Sequence, residues 1–142
     1  MSFQEQRAWT DFFLTALVYA GYVLVIAGRA QGSPITEVPY AGPMVASMLA
    51  AVVGAVVAGI LAALSSPKDA DTSDERDAAV NRRGDGVGFY VLSVGMLGPL
   101  GLTVAESAHF WIGNAMYLVF VAASLVSTAV KLISYRRGFQ PW

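Results

Sequence analysis

The chain has 142 residues, 56 % of them hydrophobic and 13 % charged, with a formal net charge of −1 and a mean hydropathy of +0.56. Soluble domains run at about half apolar and a quarter charged, so this balance points to a bilayer as solvent, and the near-neutral charge removes nucleic acid, whose phosphates demand a basic surface. The absence of cysteine excludes disulfides, thiolate metal sites, thiol catalysis and haem attachment through cysteine.

Crossing about 30 Å of hydrocarbon takes about 20 largely apolar residues. Four runs satisfy this, at 9–27, 40–64, 87–105 and 110–133. They predict an all-α integral membrane four-helix bundle, one domain over 1–142, joined across spans two and three by a charged segment at 65–86. The first run exceeds the 7 to 15 residues of a secretory signal core and is followed by Arg29, which makes it a retained span. Asp11 lies just inside it, four residues after Arg7. A carboxylate there serves either as an interfacial anchor favoured by the helix dipole or as a proton-coupling group.

The second run carries two ladders of small residues, Ala46, Ala50, Gly54, Ala58 and Ala62 beside Ala51, Ala55, Gly59 and Ala63. Small faces on two sides suit a central helix packed on the fourth span, or a homo-oligomer.

Ten of the nineteen charged residues then fall between Lys68 and Asp85. Thr72 with Glu75 makes a capping box, and Ser73 offers a second hydroxyl. Asp74, Glu75 and Asp77 occupy the first turn, Arg82 and Arg83 the last, and Gly84 stands where a C′ residue would. The pattern predicts a short helix closed by Gly84. Its charges at Asp74, Glu75, Arg76, Asp77, Arg82 and Arg83, with Arg136 and Arg137 of the tail, form either a docking surface for a protein partner or a solvated connector pairing its own charges.

In the third run, Pro99 removes a backbone donor and crowds the carbonyl of Gly95, which predicts a kink. Such a break either lines a site at the membrane midplane, as in transporters, or belongs to a closely packed helix.

Glu106 and His109 stand three apart at the start of the fourth run. They form either a proton-responsive pair, half of a metal site that Glu37 or a second subunit would have to complete, or an interfacial hairpin with Glu106 capping the helix and His109, Phe110 and Trp111 as an aromatic belt. Along the fourth span, Asn114, Tyr117, Val121, Ser124, Thr128 and Lys131 recur at steps of three and four. That polar stripe is either a hydrated pathway or a hydrogen-bonded helix interface, and the absence of an acid on it favours the interface.

Lys and Arg are held on the cytoplasmic side of spans. Arg7, Lys68, Arg76, Arg82, Arg83, Lys131, Arg136 and Arg137 fall on one side and Arg29 alone on the other. Both termini and the charged segment are therefore expected in the cytoplasm, in a multi-pass protein of the cell membrane. So strong a bias speaks against a subunit that inserts both ways up. No GxGxxG, Walker, HExxH or GxSxG sequence occurs, so no catalytic, metal or cofactor residue is assigned and no enzyme is expected.

The segment DERDAAVNRRGD, the hairpin AESAHFWIGNAMYL and the terminal YRRGFQPW resemble a family of small four-span bacterial and archaeal membrane proteins with no assigned activity. The likeness covers most of the chain and is most specific at Asp74, Glu75, Arg76, Asp77, Asn81, Gly84, Asp85, His109, Phe110, Trp111 and the tail. Some members are encoded beside small helix-turn-helix regulators, so the resemblance implies a regulatory or accessory role. The leading expectation is a non-enzymatic membrane protein that meets a cytoplasmic partner through its charged segment and tail. The alternative is a small transporter or channel subunit using Pro99 and the polar stripe, as a homo-oligomer.

Overall fold

A computed structural model describes residues 3–65 and 75–137. Thr72, Ser73, Asp74 and the tail beyond residue 137 lie outside the described residues, as does the side chain of Arg137, so the capping box and part of the expected docking set do too. Every described secondary-structure element is helical: α1 (Phe3–Arg29), α2 (Ala41–Ser65), α3 (Glu75–Gly95), α4 (Leu97–Val104) and α5 (His109–Arg137), with one 3-10 turn at Ile35–Glu37. α1, α2, α3 with α4, and α5 are each long and apolar enough to cross a membrane. This is the four-helix bundle that the apolar runs require. Few large side chains are buried, while Leu24, Leu64, Tyr90, Val94, Val104 and many like them face outward. In hydrocarbon such a surface costs nothing, because lipid tails are as apolar as the side chains they touch.

The central helix is α5. It packs along α1, α3 and α4, whereas α2 rests chiefly on α1. This corrects the expectation that α2, with its two small-residue ladders, is central and faces the fourth span. A small residue permits close approach without dictating a neighbour. Only one close approach is realised among the α2 glycines, where a Cβ at Gly54 would come 2.9 Å from Leu14 of α1. Among the described residues, α2 and α3 share no packing comparable to these interfaces, so the bundle is open along one side.

A second correction concerns Gly84. It is not a C′ residue, since α3 runs unbroken from Glu75 to Gly95 and the left-handed glycine conformation occurs, among the described residues, at Gly32. The charged segment is helical, as the charge order predicts, but it is the first turns of the third span and not a separate helix. The physical reason is packing. Val80, in the middle of the charges, is the largest fully buried side chain of the described residues, and Gly84 and Gly88 are buried at steps of four after it. That stripe docks on α5 and carries the helix straight through.

The break expected near Pro99 is one residue long. α3 ends at Gly95, Met96 keeps right-handed helical angles, and α4 resumes at Leu97. Pro99 itself is buried in α4, which packs on α5.

Candidate functional site

The site grows from the closest helix pair. A Cβ at Gly84 would come 2.9 Å from the carbonyl oxygen of Ser127, one at Gly88 2.8 Å from Ser127 Cβ, and one at Gly95 2.7 Å from Val119 Cγ1. Three glycines thus seat α3 directly on α5. The close seating sets Asp85 beside the polar stripe of α5, where its Oδ1 lies 2.7 Å from Lys131 Nζ and accepts a hydrogen bond from Ser127 Oγ at 3.3 Å. The Lys131 side chain is 20 % exposed and that of Asp85 66 %. The pair stands at the rim of the bundle, with its ammonium turned inward.

α1 supplies the other charges. Arg7 and Ala8 lie one helical turn before Asp11 and all three face the same space, and the charges of Arg7 and Lys131 both act on the Asp11 carboxylate. Around these groups is a polar cavity of about 310 Å³, walled also by Asn81 and Thr128. It continues into a second space of about 320 Å³ that reaches Thr15, Ala51 and Ser124. Arg136 of α5 stacks over the Trp9 ring at 5.2 Å, placing both ends of the described chain on this side of the bundle.

The stripe on α5 divides into two halves with different uses. Towards the far end, Tyr22 Oη donates to Asn114 Oδ1 at 2.6 Å, Asn114 Nδ2 donates to the Phe110 carbonyl, and the Tyr117 hydroxyl meets Ser47 Oγ at 2.8 Å. These bonds tie α1 and α2 to α5, and the rings of Tyr19, Tyr22 and Tyr117 pack edge-on or tilted within 6.2 Å of one another. Here the stripe is a helix interface. At the near end Ser124, Thr128 and Lys131 face the cavity instead, with Thr128 Oγ1 bonded back to the Ser124 carbonyl. The acids that complete the stripe come from α1 and α3. Periodicity within one helix does not show such partners.

The other sequence-derived residues are dispersed. Glu75, Arg76, Arg82 and Arg83 are exposed on α3, while Asp77 is half-buried with its charge facing Tyr135 of α5. Glu106 and His109 do not share a helix face. Glu106 precedes α5 with φ +53 and is the left-handed C′ residue of α4, where the Ser107 and Glu106 amides bond to the Leu102 and Thr103 carbonyls. It therefore closes the preceding helix rather than capping the next, because the two-residue turn before His109 needs a reversal. No hydrogen bond or ion pair joins the two among the described residues, and no third metal-ligating group gathers near them there. Of the expected aromatic group, Phe110 is buried in the core, edge-on to Tyr40 and to Trp111, while Trp111 and His109 are exposed.

Asp85, Asn81 and Gln4 line the cavity although the sequence assigns them to no site, and Arg7 enters the sequence reading only as the neighbour of Asp11. One signal was legible: Val80 is the lone large apolar residue in the charged segment, and Gly84 and Gly88 follow it at helical spacing. No protein-family model, curated protein or solved structure matches the chain, so the geometry of this site is what bears on function.

Proposed function

We propose that the protein is a small non-enzymatic accessory or regulatory membrane protein, with both termini in the cytoplasm, that meets a cytoplasmic protein through the charged face of α3 and the adjoining end of α5. One observation carries this reading: the charges are borne by the rigid beginning of a spanning helix. Glu75, Arg76, Arg82 and Arg83 are exposed on a helix that continues without interruption into the bundle. A loose connector would decouple its charges from the membrane. A continuous helix transmits any shift of α3 against α5 to the surface that a partner reads. Mixed charge on such a surface gives specificity and salt sensitivity more than raw affinity.

The test is crosslinking and affinity capture with the four exposed charges reversed. The expected result is loss of a stoichiometric partner that wild type holds at low salt, with thermal stability changed by no more than about 1 kcal/mol, since exposed pairs contribute little to folding. Capture retained at low and high salt contradicts the reading.

A transporter or channel subunit is the second reading, supported by the polar cavity. Against it, the cluster of Tyr19, Tyr22 and Tyr117 occupies the path beyond that cavity within one chain. Flux from proteoliposomes would favour it, and the accessory reading expects none.

A further inference from the structure

The polar cavity is one end of a longer groove. Its second compartment shares Thr15, Ala51 and Ser124 with a third, of about 230 Å³, whose remaining walls, Tyr117 apart, are apolar and include Met48, Val52 and Phe120. The groove thus runs along α1 from Arg7 to Val18 and along α5 from Lys131 to Tyr117. At 1.5 Å per residue that is roughly 16 to 21 Å. One leaflet with its headgroup layer is about 20 to 22 Å deep, half of the full bilayer thickness. The groove opens on the side where α2 and α3 do not pack, with Met48, Val52 and Phe120 exposed along it.

We propose that this groove holds one zwitterionic phospholipid, its headgroup in the polar cavity and an acyl chain between α2 and α5. Three observations choose the occupant. The length matches a single leaflet. Polarity changes along the groove in the order of a lipid, from charged rim through hydroxyls to hydrocarbon. The rim carries two cations, Arg7 and Lys131, and two carboxylates, Asp11 and Asp85. Lys131 and Asp85 pair with each other at 2.7 Å, so the rim is neutral overall; its cations suit a phosphate and its carboxylates an ammonium, which selects a headgroup bearing both charges over an anionic one. A transmembrane helix from another protein is the rival occupant. An apolar helix lying there would bring no counter-charge to Arg7, Lys131, Asp11 and Asp85. The proposal is independent of the cytoplasmic partner.

The experiment is native mass spectrometry of the full chain in mild detergent, titrated separately with phosphatidylethanolamine and phosphatidylglycerol of identical chains. Wild type is expected to hold one phosphatidylethanolamine per chain, about tenfold more tightly than phosphatidylglycerol, a difference of about 1.4 kcal/mol. Val52→Trp, which fills the apolar compartment, should lose at least that factor, and Arg7→Gln should weaken retention of phosphatidylethanolamine. Val53→Trp, exposed on α2 and outside the three compartments, should bind as wild type does. A second measurement needs no variant: phosphatidylethanolamine with a photoreactive chain, in vesicles, should crosslink Met48, Val52 and Phe120 in preference to the exposed Val94 on α3. Equal binding of the two lipids overturns the proposal. So does retention unaffected by Val52→Trp, uniform crosslinking of exposed apolar residues, or a lipid-free dimer that seals the groove.

Discussion

At Gly84 and Gly88 the separation of two helices is set by the absence of a side chain. A Cβ at Gly88 would press on Ser127 Cβ at 2.8 Å and on the Ala123 carbonyl at 3.2 Å, and backbone cannot yield as a side-chain end can. Gly88→Leu should therefore lower stability in detergent by about 1 to 3 kcal/mol through overpacking, and should loosen the Asp85–Lys131 pair that depends on the same seating. Gly86, two residues away on the same helix, has open space where its Cβ would be. Gly86→Ala is expected to be neutral or stabilising by up to about 1 kcal/mol, the ordinary gain of alanine over glycine in a helix. Thermal unfolding of both variants separates a packing role from a general intolerance of α3. The same measurement applies to Glu106, the non-glycine residue at positive φ among the described residues. Glu106→Gly relieves a left-handed conformation and should raise stability by up to about 1 kcal/mol. A loss would mean that the carboxylate has work to do in the hairpin.

At the scale of elements, α3 is the one whose extent changes the account. If it is a single rigid helix through Gly84, spin labels at Ala78→Cys and Tyr90→Cys, in a chain with no cysteine of its own, should lie about 18 Å apart by the helical rise. The distance distribution should be narrow. A hinge at Gly84 would broaden it. The apolar runs located four spans because about 20 hydrophobic residues have few other uses, and the structure adds polar turns to three of them, the longest being residues 75–86 at the start of α3, while α2 keeps its run to within one residue. The partnership of spans was not legible, for a physical reason: Ala46, Ala50 and Gly54 give α2 a small face, yet what packs there depends on the shape of the other helices. In α3, charges at Glu75, Arg76, Arg82 and Arg83 surround Val80 and Gly84, so a helix docked along its length carried the composition of a solvated loop. The stripe on α5 was legible as a stripe, and Asn114 and Tyr117 are glue as its lack of acids suggested. Its lower half faces Asp85 and Asp11, which lie 46 and 120 residues from Lys131 by number and which no single-helix period connects to it.

At the scale of the whole molecule, α5 holds α1 on one flank and α3 with α4 on another, α2 leans on α1, and the side between α2 and α3 stays open. Charge is gathered at the end where Arg136 meets Trp9, and the opposite end carries Arg29, whose Nη1 donates to the Pro39 carbonyl at 3.1 Å. A partner surface on α3 requires that the charged end face the cytoplasm. Impermeant thiol labelling of single cysteines in intact cells tests that requirement most directly, using Ala78→Cys at the charged end and Gln31→Cys at the other, both exposed. With Lys and Arg retained inside, Gln31→Cys should label in intact cells and Ala78→Cys only after permeabilisation. Labelling of Ala78→Cys but not Gln31→Cys in intact cells would put the charged face of α3 outside and contradict the account.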